Sequence, residues 1–513
     1  MSETATVPMS VQDALWLTMD RPNNLMVVDG VMTLERPVGY DSVRRVYEDA
    51  LERFPVFRRV AVPAGMGWAW RDDPQFSMDR HLTEVSLPKP AGIRELQQFL
   101  ADQRTAPLPK DRPLWQAYLI PHVTLSDGTR GSAVVSRFHH AIADGVRLTQ
   151  VMLGLCEVPD DAVPVAVAKP PSDAKGVLDG VGDSARQAAS GAMRVVGQGV
   201  RGAAAGLRDT VSDPVGSVTA LPGRVTQLPG TVVHGVGSTV EFVRHPDHLL
   251  DALDSMGIES GRGAHDLSSV TKIALAANEP TVWTGNPGTH KALAWSDPIP
   301  LATVKGIGRA AGATVNDVLL AAVAGALRDY LIERDALVAE VNWMVPVNLK
   351  PIADNLPEDL GNYFALVFLP MPLDTDDPAD RLAQMHQRMT RIKHSDEAVL
   401  TFGLQRVVSQ SPGQVAFTLT NFFANKAVGV LTNVPGPRAQ MTFAGAPVSQ
   451  VVGFAPCSGD QPMTATIFSY NDEVTVGFAS DAALVPEPLE LAELVVDQIA
   501  VLAEATGWST PQG

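Results

Sequence analysis

The stretch Ser132-Ala-Val-Val-Ser-Arg-Phe-His-His-Ala-Ile-Ala-Asp-Gly145 decides how the rest of the chain is read. Residues 132–138 are a short β-favouring run and predict a strand. Asp144-Gly145 then turns the chain into Val146–Leu155, whose apolar spacing is helical. His139 and His140 therefore stand where a strand ends, a rigid support on which reactive side chains are commonly displayed. Imidazole accepts a proton near neutral pH, and an alcohol must lose a proton to act as a nucleophile. Asp144, four residues after His140, is close enough to brace the turn and cap the helix. Gly145 leaves out a side chain that would crowd an incoming molecule. The same residues could equally form a hydrogen-bonded polar corner with no chemistry, so the segment alone admits both readings.

Outward from this segment, residues 1–165 mix strand-like and helical runs. Leu25–Leu34 predicts a strand, and Tyr40–Arg53 and Ile93–Arg104 predict helices. From 166 to 262 the composition shifts to Gly, Ala, Val and Pro with few aromatic residues, which predicts a partly helical connector. Inside it, Arg186, Arg194, Arg201 and Arg208 would fall within roughly 80° of a helix surface. Such a stripe could face anionic lipid headgroups. The many glycines weaken any helix here, which favours a linker that solvates its arginines. Residues 263–513 return to an α/β pattern. Thr314-Val-Asn316-Asp317 opens an apolar helix through a capping box. Val341–Val347, Tyr363–Pro370, Ala427–Thr432 and Ser449–Phe454 predict strands. Thr464–Tyr470 and Glu473–Ala479 predict a hairpin turning at Asn471-Asp472, and Leu489–Ala505 predicts a final helix.

Composition narrows the function. At 513 residues the chain is long enough for two domains, and 45% hydrophobic with 19% charged residues is a folded composition. The 40 Lys+Arg against 57 Asp+Glu give −17, which argues against a nucleic-acid partner. Two cysteines, Cys156 and Cys457, with no Cys/His cluster at metal spacing, predict neither a metal site nor a disulfide framework. The first 20 residues hold Glu3, Asp13 and Asp20 and no Lys or Arg, unlike a signal peptide. Polar residues, Pro and Gly interrupt the uncharged stretches 407–425 and 439–459, so no transmembrane helix is predicted. A cytoplasmic location is the expectation.

Pro113-Leu114-Trp115, His139–Gly145, Asn316-Asp317 and Asn433-Val434-Pro435-Gly436-Pro437 occur in an order that resembles the bacterial wax ester synthase/diacylglycerol acyltransferase family, within the CoA-dependent acyltransferases. The resemblance runs through nearly the whole chain. It implies an α/β fold of two chloramphenicol-acetyltransferase-like domains, each a mixed sheet with helices, with a substrate tunnel at their interface. It implies His140 as general base, His139 as a neighbour that shapes the site, Asp144 as a structural acid turned towards an arginine, and Gly145 as a spacer. It implies acyl-CoA as co-substrate with no permanently bound cofactor, and a lipid alcohol, either diacylglycerol or a fatty alcohol, as acceptor. A peripheral membrane or lipid-body surface is the further expected partner. Asp317 is better placed to cap its helix with Thr314 than to do chemistry, with Asn316 beside it in support of the fold. Pro113-Leu114-Trp115 reads as a rigid turn burying an indole or lining an acyl channel, and Asn433, Pro435 and Gly436 as part of a stiff loop near the domain junction. Two stretches depart from the family's usual look, Pro22-Asn23-Asn24-Leu25-Met26 and Val347-Asn348-Leu349-Lys350, and both bear on substrate preference. Two other functions suit the same residues: an acyltransferase of the condensation or polyketide-associated type that draws its acyl group from a carrier protein, and a lipid-binding protein without activity.

If the connector solvates its arginines, replacing Arg186, Arg194, Arg201 and Arg208 together by Gln leaves flotation with anionic liposomes unchanged. A marked loss of flotation would assign the stripe to a lipid surface.

Overall fold

The computed structural model describes residues 6–65, 67–159, 279–348, 356, 360–362, 364–393, 401, 405 and 413–509. The chain separates into two compact units. One comprises Met1–Pro171, Ala277–Ala398 and Ala424–Gly513. The other comprises Ser172–Ala276 and Val399–Phe423, and its described part lies chiefly in the helix Gly413–Ala424. The connector expected over 166–262, its four arginines and both expected domain boundaries fall outside the described residues, as do Leu349 and Lys350.

Within the first unit, the N-terminal half runs β1 (Thr6–Pro8), α1 (Val11–Met19), β2 (Val27–Leu34), α2 (Tyr40–Arg53), β3 (Arg59–Ala64), β4 (Gly67–Asp72), β5 (Leu82–Glu84), α3 (Ile93–Thr105), β6 (Trp115–Thr124), β7 (Arg130–His139) and α4 (Gly145–Leu153). The C-terminal half runs β8 (Lys291–Trp295), β9 (Ile299–Pro300), α5 (Leu301–Ala311), α6 (Val315–Ile332), β10 (Glu340–Asn348), β11 (Phe364–Pro372), α7 (Pro378–Lys393), β12 (Gly429–Pro435), β13 (Thr442–Phe443), β14 (Ala446–Phe454), β15 (Met463–Tyr470), β16 (Glu473–Asp481) and α8 (Pro488–Ala505). Among the described residues these strands form a small sheet β1-β4-β3, a sheet β13-β14-β2-β7-β6-β5, and a sheet β11-β10-β12-β15-β16-β8 with β9 on β16. Both larger sheets mix parallel and antiparallel pairs. The C-terminal half supplies β14 to the N-terminal sheet, where it pairs antiparallel with β2 from Val448↔Leu34 to Phe454↔Asp29.

Strand β7 is buried from Gly131 to His139. Its alternate residues serve two cores, as the two-residue period of a strand requires. Val134 and Phe138 pack with Tyr47 of α2, Trp115 and Leu148 of α4. Ala133 and Val135 face the other way, towards Leu96 and Leu100 of α3 and towards Trp295 and Phe454 from the C-terminal half. Arg137 points to that second side and donates from Nε to Asp29 Oδ1 at 3.1 Å, its partner in register on β2. Arg104 of α3 holds the other oxygen of the same carboxylate. A carboxylate as deeply buried as Asp29 needs such partners, because its desolvation is otherwise uncompensated.

In the C-terminal half, α6 is apolar around nearly its whole circumference and is buried accordingly, with Val318–Leu327 fully enclosed. Thr314 and Asp317 form the expected capping box at its start. The hairpin β15–β16 turns through Asn471 and Asp472, both in the left-handed region at φ 51° and 56°, as a two-residue turn between twisted strands demands. Among the described residues, no single helix is long and apolar enough to cross a membrane.

Where β12 begins, a Cβ on Gly429 would come within 1.9 Å of the Met463 carbonyl oxygen and 2.9 Å of the buried Trp343 ring. Neither neighbour is free to move, because Met463 is the Cα partner of Gly429 in the parallel ladder. Gly429→Ala is therefore expected to lower unfolding stability by about 1–3 kcal/mol, read as a reduced denaturation midpoint. An unchanged midpoint would show that β12 and β15 can separate locally at no cost.

Candidate active site

Strand β7 delivers the two histidines to a turn pinned from both sides. The His139 amide donates to the Leu114 carbonyl at 2.9 Å, and the His140 amide to the Met26 carbonyl at 2.8 Å. Asp144 then caps α4, its Oδ1 accepting from the Arg147 amide at 2.9 Å, while Oδ2 lies 4.0 Å from Arg147 Nε. The Asp144 amide donates to the Gly361 carbonyl at 3.3 Å, and Ala143 and Gly361 form a parallel bridge. A Cβ on Gly145 would meet no atom within 4 Å. The space in front of this residue is thus open.

The His140 ring is enclosed by aromatic side chains. Trp16 of α1 stacks on it with centroids 4.0 Å apart and planes 25° apart, and Phe364 of β11 lies at 5.6 Å. Only 7% of the residue is exposed. Burial pushes the imidazole down to about 4, and the His139 ring adds to this, while its own carbonyl and the Asn362 side chain pull the other way. His139 is also lowered to about 4, first by burial and then by Lys110, with Asp20 opposing. The His139 Nδ1 accepts from the Ala141 amide at 3.1 Å, which leaves its proton on Nε2, 3.9 Å from Asp20 Oδ1. Both rings are therefore uncharged near neutral pH, and an uncharged imidazole is the form able to accept a proton.

Trp16, Phe364 and Asn362 lie against His140, with Asp13 behind Asn362, and the sequence reading singled out none of them. Asn362 donates from Nδ2 to the His140 carbonyl at 2.9 Å and to Asp13 Oδ1 at 2.7 Å. Asp13 sits in the first turn of α1, where its amide donates to Ser10 Oγ at 3.0 Å. The signal for it was available as Ser10-x-x-Asp13 before an apolar run, a helix-start signature. Trp16 follows three residues later, one helical turn along and hence on the same face. Nothing local marks Asn362, whose partners are 222 and 349 residues away.

The remaining motif residues divide between core and junction. Trp115 is buried, donates from Nε1 to the Phe57 carbonyl at 2.8 Å and stacks on His81, so it serves the N-terminal core. Its amide donates to the Pro113 carbonyl, and the Leu114 carbonyl holds His139. Asn316 Oδ1 accepts from Asn433 Nδ2 at 2.8 Å, which joins two of the ordered motifs side by side. Burial opposes ionisation of Asp317, but bonds from His386 Nδ1 at 2.7 Å and from Thr314 hold its carboxyl below the usual range. Pro435 ends β12, and the Gly436 amide donates to the Ser469 carbonyl at 2.7 Å. Away from His140, a small depression lies among Asn24, Val27, Arg104, Lys291, Cys457 and Asp481.

The depressed histidines link acidity to stability. In the unfolded chain each takes up a proton near pH 6.5, whereas in the folded chain neither does until about pH 4. The unfolded state thus binds more protons between these values, and stability is lost as pH falls from 6.5 towards 4. The thermal midpoint is expected to fall across that window, and to fall less steeply in the double variant His139→Gln/His140→Gln. An identical slope in that variant would show that other groups govern the acid limb.

Two sequence profiles match the chain: the wax ester synthase/diacylglycerol acyltransferase catalytic domain over residues 9–239, and the C-terminal domain of the same family over 360–503. A Mycobacterium tuberculosis protein provisionally named a diacylglycerol O-acyltransferase is 27% identical across 98% of this chain and 91% of its own. A second protein of that organism, provisionally given the same activity, is 24% identical across 84% of this chain and 81% of its own. The solved wax ester synthase/diacylglycerol acyltransferase of Marinobacter aquaeolei VT8 shares the fold, with a TM-score of 0.62 and 19% identity across 98% of this chain and all of that one. The first condensation domain of the calcium-dependent antibiotic synthetase superposes with a TM-score of 0.50 and 14% identity, across 98% of this chain and 96% of its own. With both halves of the family present in order on the expected two-domain mixed α/β scaffold, the chain belongs to the wax ester synthase/diacylglycerol acyltransferase family.

Proposed function

We propose that the protein moves a long-chain acyl group from acyl-CoA to the hydroxyl of diacylglycerol or of a long-chain alcohol, with His140 as the general base. The observation that carries this reading is the uncharged, buried imidazole at the end of β7, whose Nδ1 is enclosed and which must therefore work through Nε2. Nε2 takes the hydroxyl proton as the alcohol oxygen attacks the thioester carbonyl. The tetrahedral adduct then collapses, the carbon–sulfur bond breaks, and the imidazolium returns the proton to the CoA sulfur. Water exclusion by Trp16 and Phe364 suits a step in which only one proton moves, and it protects the thioester from hydrolysis.

The test is thiol release from palmitoyl-CoA with diacylglycerol and hexadecanol as acceptors, with products resolved by class. His140→Ala is expected to lose roughly 100-fold or more of the transfer rate while keeping its folded circular-dichroism spectrum. Ester synthesis near the wild-type rate in that variant would end the proposal. The superposition on a condensation domain gives one reason to run the same assay with an acyl group on a carrier protein. A preference for that donor would replace acyl-CoA in the reading and keep the role of His140.

A further inference from the structure

The His140 imidazole must carry a positive charge once it has taken a proton, and its burial works against that charge. A carboxylate against the ring would offset this, but among the described residues none pairs with it. Asp144 is turned to the Arg147 amide, Asp20 to Lys110 at 3.1 Å and to the Met26 amide at 3.1 Å, and Asp13 to Asn362 at 2.7 Å. What the ring does have is the indole of Trp16, stacked with centroids 4.0 Å apart and planes 25° apart. That is inside the distance of about 6 Å at which an aromatic face attracts a cation. Phe364 is farther off, at 5.6 Å, and tilted by 48°, so its face is less well presented. The Trp16 Nε1–H is enclosed and has no acceptor among the described residues. A buried indole usually finds one, and leaving it unpaired costs free energy that a phenylalanine in its place would avoid. Of the three indoles so placed among the described residues, Trp283 and Trp343 pack in the C-terminal core, and Trp16 alone stacks on a histidine. A hydrogen bond is therefore not what this indole contributes. The property that remains is its face, the most attractive to a cation among the aromatic side chains. Helix α1 is held for the contact, because Asp13, three residues before Trp16, is linked through Asn362 to the His140 carbonyl.

We propose that Trp16 is a positioning residue that acts through His140: its indole face stabilises the imidazolium that forms as the alcohol attacks, and does little for the neutral ring beforehand. Neutral imidazole gains only packing from the stack. The cation is drawn to the negative face of the indole, and the more so where water is excluded. The contact is thus stronger after the proton arrives than before it, which is the condition for an interaction to speed a step rather than merely to bind. The proton movements are those already given, and Trp16 needs no contact with substrate to take part. The inference rests on the reading of His140 as the general base. It gives α1 a share in the chemistry, although nothing in its sequence beyond a helix start announces one.

The test replaces Trp16 alone, in the full-length protein, by tryptophans carrying one, two, three or four ring fluorines. Fluorine scarcely changes the shape of the indole but withdraws charge from its face, so a role in packing alone is left untouched. The single-turnover rate of CoA release from palmitoyl-CoA, with diacylglycerol as acceptor, is expected to fall stepwise with each added fluorine, by on the order of tenfold at four. Palmitoyl-CoA affinity and the thermal midpoint are expected to stay unchanged, the pattern of an interaction made in the transition state. Trp16→Phe, which keeps a weaker face, should fall within the fluorinated series, and Trp16→Leu, which has none, at or below its end. A rate that is constant or rises across the series overturns the proposal. So does a single drop at the first fluorine with no further grading, which marks a steric effect. Should Trp16→Leu fail to fold, the fluorinated series decides by itself. If His140→Ala is inactive and the series is flat, only the role of Trp16 fails. If His140→Ala keeps its rate, the general-base reading has failed, and a graded series would then show the indole acting on some other charge, which overturns the inference as well.

Discussion

The antiparallel pairing of β7 with β2 is the constraint on which everything else is arranged. It places Arg137 against Asp29 and His139 against Val27. It also leaves β2 with a free edge that the C-terminal half fills with β14. Strand β7 does not run out into an exposed loop at its C-terminal end. It ends in a turn whose amides are taken by Leu114, Met26 and Gly361, three points in separate parts of the chain. The position of the histidines is therefore a consequence of sheet packing as much as of local sequence.

The enclosure of His140 has an electrostatic result. Taking imidazole out of water disfavours its charged form, and among the described residues no carboxylate touches the ring closely enough to restore it. The residue is kept uncharged at the expense of intrinsic basicity, since a base of lower pKa accepts a proton less readily. A dry environment offsets part of this, because any charge that develops on the ring interacts strongly with the surrounding dipoles and with the indole face of Trp16.

Much of the scaffold was legible in the amino-acid order, and the reasons are local ones. Helix α2 runs over the residues its periodicity predicted, Tyr40–Arg53, and the Asn471-Asp472 turn and the Thr314–Asp317 cap are set by two to four adjacent residues. Elements such as α5 and α7 were missed, as was the small β1-β4-β3 sheet, whose strands are short and largely exposed. The strand at 449–454 was visible, but its partner was not, because the choice between two sheets depends on contacts more than 400 residues apart. The site shows the same division. His139, His140, Asp144 and Gly145 stand together in the sequence and could be read as a unit, whereas Asn362 acquires meaning only when folding brings it to the His140 carbonyl.

The insertion of β14 beside β2 also governs the order in which the molecule can be finished. Translation reaches the end of α4 at Leu153, but the strand that covers the exposed edge of β2 begins at Ala446, roughly 290 residues later. At about 5–20 residues per second, that edge waits some fifteen seconds to a minute on the ribosome. An unpaired edge next to an apolar core is the kind of surface on which nascent chains join one another, so this protein is most vulnerable to aggregation before its own C-terminus has been made.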